Sequence, residues 1–302
     1  MNGFSPQVAA GFAQFIDYAY DMVSTPVGTK PPTPSGFPSN FTILAYAQAQ
    51  DDFWGYDNPA YYGFVAQSTA TNQIIVAIRG TVFIVEWLID FEIGMTPFVI
   101  PGSGSVEDGF YSVFSTLTFV DPNMNPFSLQ DCLVNAVNTN PGVQIVIAGH
   151  SLGGPIASML ALQSACQSSA VKSATTVYTF AAPAPGDETF ADFYNANAPQ
   201  TFRVWNILDP VPTVLLIAGF VQIAGNGIII VPTLKQLEGY DFLFVLCNHS
   251  LMTYQWLLDS QYPLASMCQP LVAAAHQAQM RQRTIAAIKA REVMKATSGK
   301  TS

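Results

Sequence analysis

The sequence predicts an α/β fold, a mostly parallel, twisted central sheet with helices on both faces. Two observations carry this expectation. Apolar, strand-like runs alternate with helix-like segments along the chain, so that strands lie side by side and each connection returns over a face of the sheet. One run, QIIVAIRGT, is nearly continuous and apolar, as expected of a strand buried on both faces. Composition agrees with this: half of the 302 residues are hydrophobic and only 10% are charged, enough to bury a large core.

Taken in order, residues 7–24 carry Val8, Phe12, Phe15, Ile16, Ala19 and Met22 at helical spacing and predict an amphipathic helix. TPVGTKPPTPSGFPSN follows as a Pro/Gly/Ser-rich loop. FTILAYAQ, YYGFVAQS and QIIVAIRGT read as strands, and residues 82–93 are apolar on almost every side. Helical stretches are expected around 109–119 and 128–138. After the turn Asn140-Pro141-Gly142 comes the strand VQIVIAG, then a helix over 152–168. TTVYTFAAP and TFRVWNIL complete the strands. The run Val211–Val231 is long enough to raise a membrane span. Pro212, Gln222, Asn226 and the turn-forming Gly225-Asn226-Gly227 predict instead an apolar loop and a β-hairpin. No linker divides residues 1–275, which read as a single domain. Residues 276–302 read as a basic helical tail packed on the acidic body.

Charge is unevenly spread. Residues 1–275 hold five Lys/Arg against nineteen Asp/Glu, a balance of −14, whereas residues 276–302 hold six against one, +5. An acidic body repels phosphate backbones, which argues against nucleic acid as a partner. Cys132, Cys166, Cys247 and Cys268 show no metal-ligand spacing; free buried thiols are expected ahead of the alternative of one or two disulfides. The N-terminus MNGFSPQVAAGF lacks the basic and apolar regions of a secretory signal, so the compartment is open.

The chemistry centres on Gly149-His150-Ser151-Leu152-Gly153, a G-x-S-x-G pattern between an apolar strand and a helix-forming run. A serine nucleophile in this setting sits on a sharp strand-to-helix turn, and glycines keep side chains out of the way. The helix N-terminus beyond it offers N–H groups to a developing oxyanion. The chain has three histidines. His150 is adjacent to the serine and directed away from it, and His276 lies in the tail, which leaves His249 as the base. The fold that carries this turn orders its triad Ser…Asp/Glu…His, so the acid lies between residues 151 and 249. Asp209, at the end of a strand and before Pro210, leads over Asp187, Glu188, Asp192, Glu238 and Asp241.

Over residues 40–260 five ordered segments resemble the class 3 lipases of the α/β-hydrolase superfamily: IVAIRGT, GHSLGGPIASMLAL, TFAAPAPGDETFADFYN, NILDPVP and NHSLMTYQWLL. The resemblance implies Ser151, Asp209 and His249 as triad. It puts an oxyanion hole on Thr81, through its backbone N–H with or without its hydroxyl, and on the backbone N–H of Leu152. It also implies a short helical lid over about 82–93, with Phe83, Ile84, Trp87 and Leu88 as an apolar face within Val82–Asp90. Asp90 would position the oxyanion side chain. Two positions depart from the family: Glu107-Asp108 where a histidine often precedes Gly-Phe, and Gln222 where a histidine often follows the acid. The implied activity is lipase hydrolysis of acylglycerols at an oil–water interface, through an acyl-enzyme and with no metal or cofactor. An esterase for smaller or feruloyl-type esters and an inactive lipase-like interaction module are the alternatives.

Overall fold

The computed structural model describes residues 3–51, 58–81, 94–225 and 227–269. The expected lid, about 82–93 and including Val82, Phe83, Ile84, Trp87, Leu88 and Asp90, lies outside the described residues. So does the basic tail.

Helix α1 (Pro6–Tyr20) opens with Ser5 as its cap, the Ser5 hydroxyl accepting from Val8 N–H, and Pro6 at the first turn. It stops at Tyr20, short of the residue 24 that periodicity suggests. The long strands β1 (Thr42–Asp51) and β2 (Asn58–Ser68) precede β3 (Gln73–Ile78). β4 (Met95–Pro97) and β5 (Ser105–Glu107) form a separate antiparallel pair. Next come α2 (Asp108–Thr116), β6 (Thr118–Val120), α3 (Leu129–Thr139), β7 (Gln144–His150) and α4 (Gly153–Gln167). α5 (Ser169–Ala174), β8 (Thr175–Phe180), α6 (Glu188–Asn197) and β9 (Gln200–Asn206) continue the alternation. α7 (Val211–Val214), β10 (Ile228–Ile230), α8 (Leu234–Gly239), α9 (Val245–His249) and α10 (Leu251–Leu258) complete it.

The main sheet has the order β10-β9-β8-β7-β3-β2-β1-β6. Strands β3, β7, β8, β9 and β10 run parallel, while β2, β1 and β6 extend the sheet antiparallel. This is the mostly parallel α/β arrangement the alternation predicts. β7 sits centrally and is buried from Ile145 to His150. One face packs Ile145, Ile147, Ile156, Leu162 and Phe190 under α2, α4 and α6. The other packs Val146, Ala148, Ala13 and Ile16 under α1 and α10. Helix α4 is buried on nearly every side, which explains its run of glycine, alanine and apolar residues.

Two expectations are corrected. The run Val211–Val231 forms no hairpin: it opens as α7 and a short 3-10 turn, and Ile228–Ile230 pairs parallel with β9. Three consecutive isoleucines cover the open edge of β9, while Val221 bridges to Gly186 instead. Cys247 and Cys268 form a disulfide rather than free thiols, packed among Leu237, Tyr240, Phe242 and Leu257. Cysteines 21 positions apart carry no motif, so their meeting depends on the path of α8 and α9. Cys132 and Cys166 are free. No helix among the described residues is long and apolar enough to cross a membrane.

Glu107, where the family often has histidine, caps α2: its carboxylate accepts from Gly109 N–H at 2.8 Å and Phe110 N–H at 2.7 Å. Burial nonetheless outweighs those bonds and pushes the carboxyl up to about 7, from an ordinary 4.5. The folded state therefore holds this proton more tightly than the unfolded chain does. Ionising it costs stability as pH rises from about 4.5 to 7, by an amount of order 3 kcal/mol. Between about pH 5 and pH 8, on either side of the shifted value, the wild type should accordingly lose more melting temperature than Glu107→Gln. Parallel losses in thermal denaturation would contradict the assignment.

Candidate active site

Ser151 lies between β7 and α4 with φ +54°, a left-handed conformation that few non-glycine residues adopt. Two hydrogen bonds hold the turn: Ser151 N–H donates to Phe180 O at 2.9 Å, and Gly154 N–H donates to Ser151 O at 2.9 Å. A side chain at Gly149 would run into the Gly153 carbonyl, so strand and helix meet closely only because Gly149 lacks one. The turn thereby presents the serine hydroxyl at the carboxyl edge of the sheet.

His249, the last residue of α9, and Asp209, just past β9, are brought to that hydroxyl. His249 Nε2 stands 2.9 Å from Ser151 Oγ, and His249 Nδ1 stands 2.9 Å from Asp209 Oδ2. With a carboxylate as its neighbour, Nδ1 carries the proton and donates, so the Nε2 lone pair accepts from the serine hydroxyl. Asp209 is 2% exposed and collects two further donors, Tyr254 Oη at 2.8 Å and Val211 N–H at 3.0 Å. Three donors make its burial as a carboxylate tolerable. Tyr254, which also accepts from Asn206 N–H, is held well above the ordinary phenol range by burial and by the Asp209 charge, and so stays protonated. Of the other acid candidates, Asp187 instead caps α6, accepting from Phe190 N–H and Ser105 N–H. Glu188 and Asp192 lie on α6, Glu238 on α8, and Asp241 just before α9.

Leu152 and Thr81 lie on the two segments that meet at the serine turn. Leu152 follows Ser151 directly, with its N–H at the start of α4. Thr81 follows Gly80, which is pressed against the turn: a Cβ there would stand 2.7 Å from both Ser151 Cβ and His150 O. Thr81 is buried. What holds this segment is a residue with no sequence motif around it. Tyr20, at the end of α1, accepts from Gly80 N–H at 2.9 Å and pairs with His150 Nδ1 at 2.8 Å. His150 Nε2 lies 2.9 Å from the carbonyl oxygen of His249. A carbonyl only accepts, so His150 is protonated at Nε2 and its Nδ1 accepts from the Tyr20 hydroxyl. Burial, and then the adjacent His249 ring 4.9 Å away, hold His150 well below the usual imidazole range. His150 does point away from Ser151, as expected, yet it touches the backbone of His249. Tyr254 is equally unmarked in the sequence; only a hydroxyl among apolar helix positions distinguishes either tyrosine.

The lipase (class 3) family model matches residues 75–218, from β3 through the turn after α7, taking in Thr81, Ser151, Leu152 and Asp209. Over that stretch, just under half of its length, the chain is similar to the class 3 lipases. Among its relatives, phospholipase A1-II 3 of Oryza sativa subsp. japonica is 30% identical over 197 residues, covering 59% of this chain and 46% of that protein. Secreted mono- and diacylglycerol lipase 1 of Fusarium solani is 26% identical over 149 residues, covering 49% and 41%. The chain thus spans about half the length of the curated relatives it matches. Rhizomucor miehei triacylglyceride lipase superposes with a TM-score of 0.55 at 23% identity, covering 73% of this chain and 78% of that one. Lip2 lipase of Yarrowia lipolytica gives 0.54 at 20%, covering 74% and 78%. At such identities the likeness shows the α/β-hydrolase fold.

The geometry distinguishes Asp209, paired with His249, from Asp187, which caps α6. Asp209→Asn should lower ester turnover by about 10³–10⁴-fold through the wrong imidazole tautomer. Asp187→Asn keeps one acceptor for the α6 cap but loses the second, to Ser105 N–H; it should lower melting temperature modestly, with a far smaller loss of turnover. Steady-state assays and melts of the two variants decide this, and the reverse ranking would reassign the acid. Tyr20→Phe leaves Gly80 N–H and His150 Nδ1 without their partner. It should lower kcat about 10- to 100-fold with little change in KM. A loss carried by KM would mean that Tyr20 holds substrate rather than the site.

Proposed function

We propose that this chain hydrolyses carboxylic esters of lipids, acylglycerols foremost, through an acyl-enzyme formed on Ser151. The observation that carries the reading is the pair of 2.9 Å contacts from His249 to Ser151 Oγ and to Asp209, all three side chains being buried. Ser151 Oγ attacks the ester carbonyl carbon as His249 Nε2 takes the hydroxyl proton. The carbonyl oxygen becomes an oxyanion, which the N–H groups of Leu152 and Thr81 stabilise on this reading. On collapse the alkoxide leaves with the proton from His249, and an acyl-serine remains. Water then attacks the acyl carbon, giving its proton to His249; the carboxylic acid departs, and Ser151 regains its proton. Asp209 stabilises the imidazolium formed in each half.

Support for a lipid substrate comes from two directions. The matched relatives bear the names phospholipase A1 and mono- and diacylglycerol lipase, and one structure of this fold is a triacylglycerol lipase whose catalytic centre is formed by a serine protease triad. Around the carboxyl edge of the sheet, the segments that follow Asp209 and precede His249 expose Leu216, Ile217, Phe244 and Val245. Ile217 is 93% exposed, an apolar rim suited to an oily surface.

A fluorophosphonate probe should label the wild type and not Ser151→Ala, and the substitution should lower turnover about 10⁴-fold or more while melting stays close to wild type. In a series of p-nitrophenyl esters the rate should favour medium and long acyl chains. A preference for acetyl or feruloyl esters would make the enzyme a small-ester esterase, and turnover retained by Ser151→Ala would remove the proposal.

A further inference from the structure

A cavity of about 340 Å³ opens beside His249 on the α1 side, lined also by Thr81 and His150. Its walls carry one group that an acyl groove has no use for. Leu246, Leu251, Met252 and Met267 supply apolar surface, and Tyr20 and His150 spend their polar atoms on each other and on the backbone. One charged side chain lines it, Asp17, one turn before Tyr20 on α1. Gln14 Nε2 donates to Asp17 Oδ2 at 3.2 Å, and Gln14 is itself fixed by Gln255 Nε2 of α10 at 3.1 Å. Among the described residues, Asp17 Oδ1 receives no hydrogen bond, so an oriented carboxylate oxygen is left for a ligand to donate to.

The position of the cavity decides which half of an ester it can hold. The leaving oxygen must lie at His249 Nε2, because His249 returns the proton to it. A space with His249 and a carboxylate among its walls is therefore suited to the alcohol. A carboxylate accepts hydrogen bonds and donates none, so it matches an alcohol with a further free hydroxyl. It repels a phosphate. Among the described residues no Lys or Arg lines the cavity to offset that repulsion. Arg79, the nearest along the chain to Thr81, is fully buried, bonded to the Tyr61 and Gly80 carbonyls and stacked over Tyr62.

We propose that this cavity receives the leaving alcohol and that Asp17 accepts a hydrogen bond from a free hydroxyl on it, which makes neutral partial glycerides, with a hydroxyl next to the ester, the favoured substrates over phosphate-bearing esters. The inference rests on the ester-hydrolase reading and specifies its alcohol.

The test uses the full chain with three soluble butyrate esters: monobutyrin, ethyl butyrate, which has no hydroxyl, and butyroylglycerol phosphate. The ratio of kcat/KM for monobutyrin to that for ethyl butyrate should fall about tenfold in Asp17→Leu, and by less in Asp17→Asn, whose amide oxygen still accepts. Wild type should favour monobutyrin over its phosphorylated form, and Asp17→Lys should narrow that gap. A ratio unmoved by Asp17→Leu, or a wild type that prefers the phosphorylated ester, would overturn the proposal. Ethyl butyrate hydrolysis that Ser151→Ala abolishes would leave the underlying reading standing, so a failure of the pocket and a failure of the chemistry are told apart. If Asp17→Leu fails to fold, Asp17→Asn and Asp17→Lys carry the same comparison.

Discussion

A left-handed serine between a buried strand and a buried helix is the constraint on which the rest of the site depends. At φ +54° Ser151 cannot continue β7 and does not yet belong to α4, so its side chain is thrown clear of both. That conformation is stored strain, and the surroundings hold it through Phe180 O, the Ser151 carbonyl and glycines at the points of closest approach. The same crowding brings Gly80, the residue before Thr81, against the turn.

The histidine is fixed from two sides. Its ring is held by Asp209 and Ser151, while its main-chain carbonyl is held by His150, which Tyr20 orients in turn. Two imidazoles 4.9 Å apart would repel each other if both were charged. Burial of His150, with its two nitrogens already engaged, keeps it neutral. The disulfide adds a third tether, since Cys247 lies two residues before His249 on the same short helix.

Much of this was legible in the chain. The alternation of apolar runs and helical segments pointed to the sheet, because burial on both faces leaves a nearly continuous apolar signature at β3. The G-x-S-x-G turn was visible because the glycines are demanded by contacts only a few residues apart. His249 emerged by elimination among three histidines, and Asp209 from its place at a strand end. Tyr20 and Tyr254 were not legible: they act through partners 45 to 130 positions away, and a helix periodicity cannot report which turn meets them. Asp17 escaped as well, because the cavity it faces is walled by segments from both ends of the described chain. The Cys247–Cys268 pairing and the parallel addition of β10 were hidden for a similar reason. Both depend on where loops end, which local propensity does not encode.

The hydroxyl of Tyr20 spans 60 positions to Gly80 and 130 to His150, and His150 reaches another 99 to the carbonyl of His249. Such a network has no local precursor, because none of its links joins neighbours in the chain. Loop closure over these separations is slow compared with the growth of a helix or a hairpin. Competence for chemistry therefore arrives with the last long-range closure rather than with the sheet. A refolding chain would regain its secondary structure before its turnover, and the lag between them would time the docking of the first helix onto the finished core.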